Sequence, residues 1–397
     1  MTVVTPTPEL RELGEQRLAW IRSRMRLLAN AKETFSASKP FSGQRIGVAI
    51  HLEPKTAVLL EVLSAGGAEI VATGNHGSTQ DDTVAALLAQ GMTIFGTRAD
   101  TMPQHLANVE SVLDARPTMI LDNGADLIAG LVERGLADVV IGATEETTSG
   151  GTRLRGDYAG RVPFPVIVIN DSPLKAIGEN RHAVGQSVVE SLTRITALMI
   201  PGRRFVVVGY GWCGRGIAQY LRAFGGKVAV AEIDDLTAFE AALDGYRVAP
   251  IGELAGWGQT FVTATGHPGV LAAAEFAAME SGTVVANSGH FPTEIDVPAL
   301  KAMATSVVTV EDSLERIEFV DGRHVILVAD GRMVNLAGRN PRGNSLESMD
   351  LGFLLQALSL ERIAGSAASL GTGPQPVPDD INRIIARRMV AAMSASR

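Results

Sequence analysis

The stretch RFVVVGYGWCGRGIAQYLRAFGGKVAVAEID, from Arg204 to Asp234, constrains this chain more than any other. It reads as a valine-rich strand, a glycine loop, a helix and a second strand. Gly209, Gly211 and Gly214 give G-x-G-x-x-G at the strand-to-helix turn. The first glycine permits the tight turn, the second lets a pyrophosphate approach the backbone, and the third lets the helix pack closely. Phosphate then sits at the positive helix N-terminus. At the end of the next strand stands Glu232, where a carboxylate accepts from an adenosine ribose. An acid there favours NAD over NADP, because it repels a 2′-phosphate. The block therefore predicts a Rossmann NAD-binding domain, with Gly209, Gly211, Trp212, Cys213, Gly214 and Glu232 at the cofactor. Cys213 is read as a small space-filling residue of the loop.

The remaining chain repeats the alternation of apolar strand and helix. RIGVAIHL, TAVLLEVLSAGGAEIVATGN, TVAALLAQGMTIFGT, PTMILDNGADLIAGLVERG, ADVVIGATEETTSGG and FPVIVINDS predict a mainly parallel sheet with helices on both faces. At 397 residues and 46% hydrophobic, the chain is long enough for two cores. The expected fold class is α/β, with two doubly wound parallel-sheet domains. A substrate-binding domain is expected over 1–184 and the NAD-binding domain over 185–335. The chain then returns to the first domain over 336–397. Residues 8 to 30 read as one helix, and Arg181 to Met199 as another. GTGPQPVPDD reads as a linker, and the last helix as short and basic. A net charge of -8 argues against a nucleic-acid surface. No apolar run reaches membrane-spanning length, and the N-terminus lacks a signal-peptide core. With a single cysteine the compartment reads as reducing, so a cytoplasmic protein is expected.

Ligands of parallel sheets bind outside the carboxyl ends of the strands. Polar residues gather at those ends here: His51; Thr73 and Asn75 with Ser78, Thr79 and Gln80; Asp122 and Asn123; and Glu145, Glu146, Thr147 and Thr148. VIVINDSPLKAIGEN adds Asn170, Asp171, Ser172, Lys175, Glu179 and Asn180, and NSGHFPTEID in the second domain adds His290. Each has a structural alternative. A loop histidine is often structural, Asp122 or Asn170 could cap a helix, and Ser78 with Asp81 could form a capping box.

STQD, EETTSG, VINDSPLK, GYGWCGRG, AEID, NSGHFPTEID and VNLAG, in this order and spacing, resemble the S-adenosyl-L-homocysteine hydrolase (adenosylhomocysteinase) family over roughly Arg17 to Arg387. The resemblance implies a tightly held NAD as internal redox cofactor. A nucleoside is oxidised at its 3′-hydroxyl, the C4′ proton becomes acidic, and the 5′ group is expelled. Water then adds and the ketone is reduced back. A lysine of lowered pKa suits a general base at the sugar hydroxyl, and by motif that base is Lys175. Glu179 falls where the family has an aspartate bonding the sugar, and Asn180 on the adjacent asparagine. Glu146 is implied at the ribose hydroxyls, His51 beside the 5′ leaving group, and Thr73 and Asn75 among the substrate contacts. Thr147, Thr148, Ser149 and Thr265 are implied at NAD, and Asn335 at the nicotinamide amide. His290 and Phe291 match a His-Phe pair near the hinge. Family members are tetramers with hinge closure, so a homo-oligomer (tetramer or dimer) is expected.

The chain departs from the family at the substrate's base and 5′ end. Asn123 replaces an aspartate that works with the histidine at the 5′ position, and an amide cannot take a proton at neutral pH. The adenine-side HxTxE pattern has become HLEPK, with Glu53 for threonine and Lys55 for glutamate. NPRGNSL replaces a Gly-His-Pro element, which puts Arg342 near the lost histidine. The usual lysine- and tyrosine-containing C-terminal tail is missing, so oligomer contacts and cofactor retention are expected to differ. Intact redox residues with an altered 5′ end suggest a dehydratase of an adenosine-like nucleoside. Loss of water would leave a 4′,5′-alkene, as specialised nucleoside or antibiotic metabolism would use. The alternatives are a true S-adenosyl-L-homocysteine hydrolase and an NAD-binding regulatory relative without activity.

Overall fold

β1 (Arg45–Ile50) shows why the first sheet forms: all but its first residue are buried, as a strand covered on both faces requires. Ile46, Val48 and Ile50 enter one apolar core while Ala49 enters another. The period of two thus feeds a core on each side of the sheet. In this computed structural model, residues 1–290, 292–338 and 340–394 are described. They form two units, one of Met1–Ala176 with the chain from Leu346 onward, the other of Ile177–Ser345. The divisions fall at 176 and 345, not at the expected 184 and 335. The first boundary lies inside a continuous helical segment, which leaves no break in the sequence to read.

In the first unit β1 is joined by β2 (Glu69–Gly74), β3 (Thr93–Phe95), β4 (Met119–Asp122), β5 (Gly142–Glu145), β6 (Pro165–Val168) and β15 (Gly373–Pro376). Strands are numbered in chain order. The sheet runs β15-β6-β5-β4-β1-β2-β3, and every pairing is parallel. Helices Pro8–Arg22, Arg26–Ser38, Pro54–Ala65 and Leu346–Ser366 cover one face. Met102–Asp114 and Asp126–Glu133 cover the other. Residues 8 to 30 are two helices, not one, because the chain turns at Met25 and restarts at Arg26. The presumed linker GTGPQPVPDD contains β15. A proline cannot donate to a ladder and so suits an edge strand, which is where Pro374 and Pro376 lie. The last helix, Asp379–Ser394, has 16 residues and is longer than expected.

The second unit holds β7 (Arg204–Val208), β8 (Lys227–Ala231), β9 (Arg247–Val248), β10 (Thr260–Thr263), β11 (Thr283–Asn287), β12 (Ala304–Glu311), β13 (Leu314–Phe319) and β14 (His324–Val328). Their order is β12-β13-β14-β11-β10-β7-β8-β9. β7 to β11 and β14 pair in parallel, whereas β12–β13 and β13–β14 are antiparallel. The doubly wound sheet therefore carries an antiparallel extension. Phe205 and Val207 pack under helices Val184–Thr196 and Trp212–Ala223. Val206 and Val208 face the opposite core with Phe261 and Phe276. The helix expected over Arg181 to Met199 is α-helical only from Val184 to Thr196. Lys175–Ala183 before it is wound as a π-helix.

Candidate active site

The carboxyl ends of β1, β2, β4 and β5 converge on a network of side chains in the first unit. His51 follows β1, and its Nδ1 lies 2.7 Å from the Ser78 hydroxyl. That hydroxyl donates to the Asn75 carbonyl at 2.9 Å. Asn75 follows β2, and its Nδ2 donates to Oδ1 of Asn123, which follows β4, at 2.8 Å. The three strand ends are thus tied together. Ser78 serves this network and caps no helix: Asp81–Ala89 has Gln80 at its N-cap without a side-chain bond. Thr73, fully buried at β2, carries a hydroxyl with no hydrogen-bond partner.

Asp122 and Glu145 stand as Cα partners on β4 and β5 and are fully buried. Glu145 accepts from the main-chain N–H groups of Gly124, Ala125 and Thr147, and from the Thr147 hydroxyl. These bonds hold Ala125 at φ +62, a left-handed conformation that costs a residue with a Cβ about 1 kcal/mol. Asp122 accepts from Asn123 and Ile128. Asp122 thus accepts a main-chain N–H of the first turn of Asp126–Glu133, while Ala125 holds that helix's N-cap position. Burial holds the Asp122 carboxyl well above the usual carboxylate range, with Glu145 and Asp126 adding repulsion. Burial also raises Glu145, against the main-chain and Thr147 bonds.

Glu146 follows immediately and is bonded on both oxygens. Lys175, 3% exposed, donates to Oε1, and Gln356 of the helix Leu346–Ser366 donates to Oε2. Two buried charges thus neutralise one another beside an amide. Gln356 was not anticipated; its signal was a glutamine inside the apolar run LGFLLQALSL. Lys55 donates to Glu53 at 2.7 Å, and both are buried at the start of Pro54–Ala65. Burial raises the Glu53 carboxyl, while Lys55 and Arg17 oppose it. Thr147 caps the helix Thr148–Arg155 by accepting from Gly150, and its hydroxyl lies 3.0 Å from that of Ser149. Thr148 is exposed.

In the second unit the glycine loop has the predicted form. Gly209 has φ +93, and a Cβ at Gly214 would fall 2.1 Å from the Gly209 carbonyl oxygen, so only glycine allows the helix this close. A Cβ at Gly211 would meet nothing within 4 Å, which leaves the loop open where a phosphate would approach. Glu232 accepts from Tyr210, Ile233 and Asp234 N–H groups, so one carboxylate links the end of β8 to the loop. Trp212, 41% exposed, opens the helix with the Arg215 guanidinium 5.1 Å from its ring centre. Cys213 is partly buried. Asn335 donates to Ser187 at 2.9 Å, while its buried Oδ1 has no partner, an acceptor suited to a carboxamide N–H. The open loop and this acceptor fit NAD.

Sequence reasoning missed Glu294, which is fully buried and accepts from Thr265 N–H, the Thr265 hydroxyl and Gly266 N–H. Asn287 beside it binds Thr263, Gly289 and Gly331. Glu179 and Asn180 are buried, with Asn344 Nδ2 3.5 Å from Glu179. Arg342 is exposed and repels Arg194. His290 is half-buried after β11, and Phe291 lies outside the described residues.

These units define an α/β fold with a Rossmann-like NAD-binding domain and a second parallel sheet. The family model for S-adenosyl-L-homocysteine hydrolase matches residues 7–139, and that for its NAD-binding domain matches 180–340. The S-inosyl-L-homocysteine hydrolase of Methanopyrus kandleri is 40% identical over 391 residues, covering 97% of this chain and 92% of that protein. The adenosylhomocysteinase of Thermococcus kodakarensis is 39% identical over 384 residues, covering 96% and 91%. The chain belongs to the S-adenosyl-L-homocysteine hydrolase family, and its cofactor is NAD. No helix among the described residues is long and apolar enough to cross a membrane.

Proposed function

We propose that this protein dehydrates a purine nucleoside. The sugar is oxidised at C3′, loses its C4′ proton, eliminates its 5′-hydroxyl as water, and is returned to the 3′ alcohol with a 4′,5′-alkene in place. NAD, when bound, supplies hydride acceptance at C3′ and its return. Lys175 takes the 3′-hydroxyl proton after passing its own to the Glu146 carboxylate, which Gln356 fixes in place. Glu146 orients the ribose hydroxyls, and His51 serves the C4′ and 5′ end. Asn335, the glycine loop and Thr265 hold the cofactor.

The observation that carries this reading is Asn123. Its amide is bonded to Asn75, and it neither takes nor gives a proton at neutral pH. Activation of water for addition to the alkene therefore lacks its carboxylate, while the oxidising apparatus around Lys175 keeps its buried pair.

A second reading, hydrolysis of an S-nucleosyl-homocysteine with a 6-oxo purine, is favoured by Lys55. Its ammonium only donates, which suits a carbonyl at the purine 6-position, and relatives at 40% and 41% identity are named S-inosyl-L-homocysteine hydrolase. One experiment separates the readings. The NAD-loaded protein is incubated in deuterated water with 5′-hydroxy purine nucleosides, and separately with S-adenosyl- and S-inosyl-homocysteine. Alkene with C4′ deuterium from the former supports dehydration. Free thiol at enzymatic rates from either thioether overturns it in favour of hydrolysis. No exchange with any of them leaves an NAD-binding regulatory protein.

A further inference from the structure

The turn after β2 carries a residue that none of these roles uses. The Ser78 N–H and hydroxyl both return to the Asn75 carbonyl, at 3.2 and 2.9 Å. Gly77 has φ +73, the left-handed conformation this reversal demands. His76 therefore stands at the apex of a four-residue turn. Both its flanks are committed to the strand-end network, Ser78 to His51 and Asn75 to Asn123. His76 belongs to the turn whose other members are bonded to the 5′-side histidine and to the asparagine that replaces the family's carboxylate.

A second imidazole backs it. The half-buried His76 ring lies 6.1 Å from that of His105, with the planes inclined at 54°. His105, buried on Met102–Asp114, is hydrogen-bonded to the Gly74 main chain, and burial holds it below the usual imidazole range. The carboxylates facing His105 are Asp100 and Asp126. Both are already engaged, Asp100 by Thr2, Thr97 and Asn108, and Asp126 by Arg153 at 2.7 Å. His105 is thus a neutral wall against which His76 is packed. Imidazole is the side chain that exchanges protons near neutral pH, and here one is mounted on the loop that braces the altered 5′ position.

Resting on the dehydration reading, we propose that His76 is the acid that protonates the departing 5′-oxygen. In this step the C4′–H bond breaks and its proton passes to His51. Its electron pair becomes the second C4′–C5′ bond, the C5′–O bond breaks, and the oxygen leaves as water with the His76 proton. One proton enters the protein as one leaves, so no further reagent is needed.

The test compares leaving groups. His76→Gln keeps hydrogen-bonding capacity without titrating, and His76→Asn, which tight turns accept readily, gives the same comparison if glutamine disturbs the fold. With a 5′-hydroxy purine nucleoside the variant should lose alkene formation by about 100-fold or more while C4′ deuteration stays within about threefold of wild type. With the 5′-chloro-5′-deoxy nucleoside, whose chloride needs no proton, variant and wild type should eliminate at the same rate. Equal losses on both substrates, or undiminished dehydration, overturn the assignment. Absence of C4′ exchange in the wild-type protein overturns instead the elimination reading on which it rests.

Discussion

Lys175 and Glu146 form a buried ion pair at the exit of β5, and the second carboxylate oxygen is closed by Gln356. Removing one member leaves the other charged and buried, which costs more than removing both. Lys175→Met should destabilise the protein by about 3 kcal/mol in urea denaturation. Lys175→Met with Glu146→Gln should recover more than half of that loss. Additive losses would show that the pair is not coupled. On the proposed mechanism both variants should lose C4′ deuterium exchange, because both lack Lys175.

The glycine loop separates folding from cofactor binding. Alanine at Gly214 would collide with the Gly209 carbonyl, whereas alanine at Gly211 meets no protein atom. Gly214→Ala should lower the melting temperature and lose NAD together. Gly211→Ala should retain its circular dichroism and melting behaviour without cofactor, yet copurify with less NAD, measured after acid release. A Gly211→Ala protein saturated with NAD would refute the pyrophosphate placement.

The buried Glu53–Lys55 pair is proposed to face the purine base. Restoring the family pattern by Glu53→Thr with Lys55→Glu exchanges a donor for an acceptor at one edge. The ratio of kcat/KM for a 6-oxo over a 6-amino purine substrate should fall by about 10-fold or more, the value of a charged hydrogen bond. An unchanged ratio would move base recognition elsewhere.

Asp350 caps the N-terminus of Arg26–Ser38, accepting from Leu27 at 2.8 Å and Leu28 at 2.9 Å. Burial pushes its carboxyl up to about 6, against these two bonds. An unfolded aspartate titrates near pH 4, so the folded state binds the proton more tightly. The stability this group contributes is fully present below about pH 4 and is lost as pH rises to about 6, on the order of 2 kcal/mol. Asp350→Asn should flatten the urea midpoint against pH over that window. A variant with the wild-type slope would exclude Asp350 as the source.

Local pattern made the glycine loop, the strand-helix alternation and the polar ends carrying His51, Asn75 and Asn123 readable, because each of these residues directly follows its own strand. Gln356, Glu294 and β15 were not. Gln356 reaches Glu146 from 210 residues away, and no local periodicity records such a partner. Glu294 acts on main-chain N–H groups of Thr265 and Gly266, which leave no side-chain signature. β15 resembles a linker because its prolines are tolerated only at a sheet edge, a property of topology rather than composition.

The division of the first unit into two chain segments has a consequence for its birth. On a ribosome, Glu146 and Lys175 emerge with the six strands β1 to β6, but Gln356, the capping Asp350 and edge strand β15 follow only after Ile177–Ser345. Domains tend to fold as units as they are synthesised. The inserted cofactor unit is therefore complete in sequence while the other still lacks two helices and a strand. The Glu146 carboxylate meets its amide partner among the last events of synthesis.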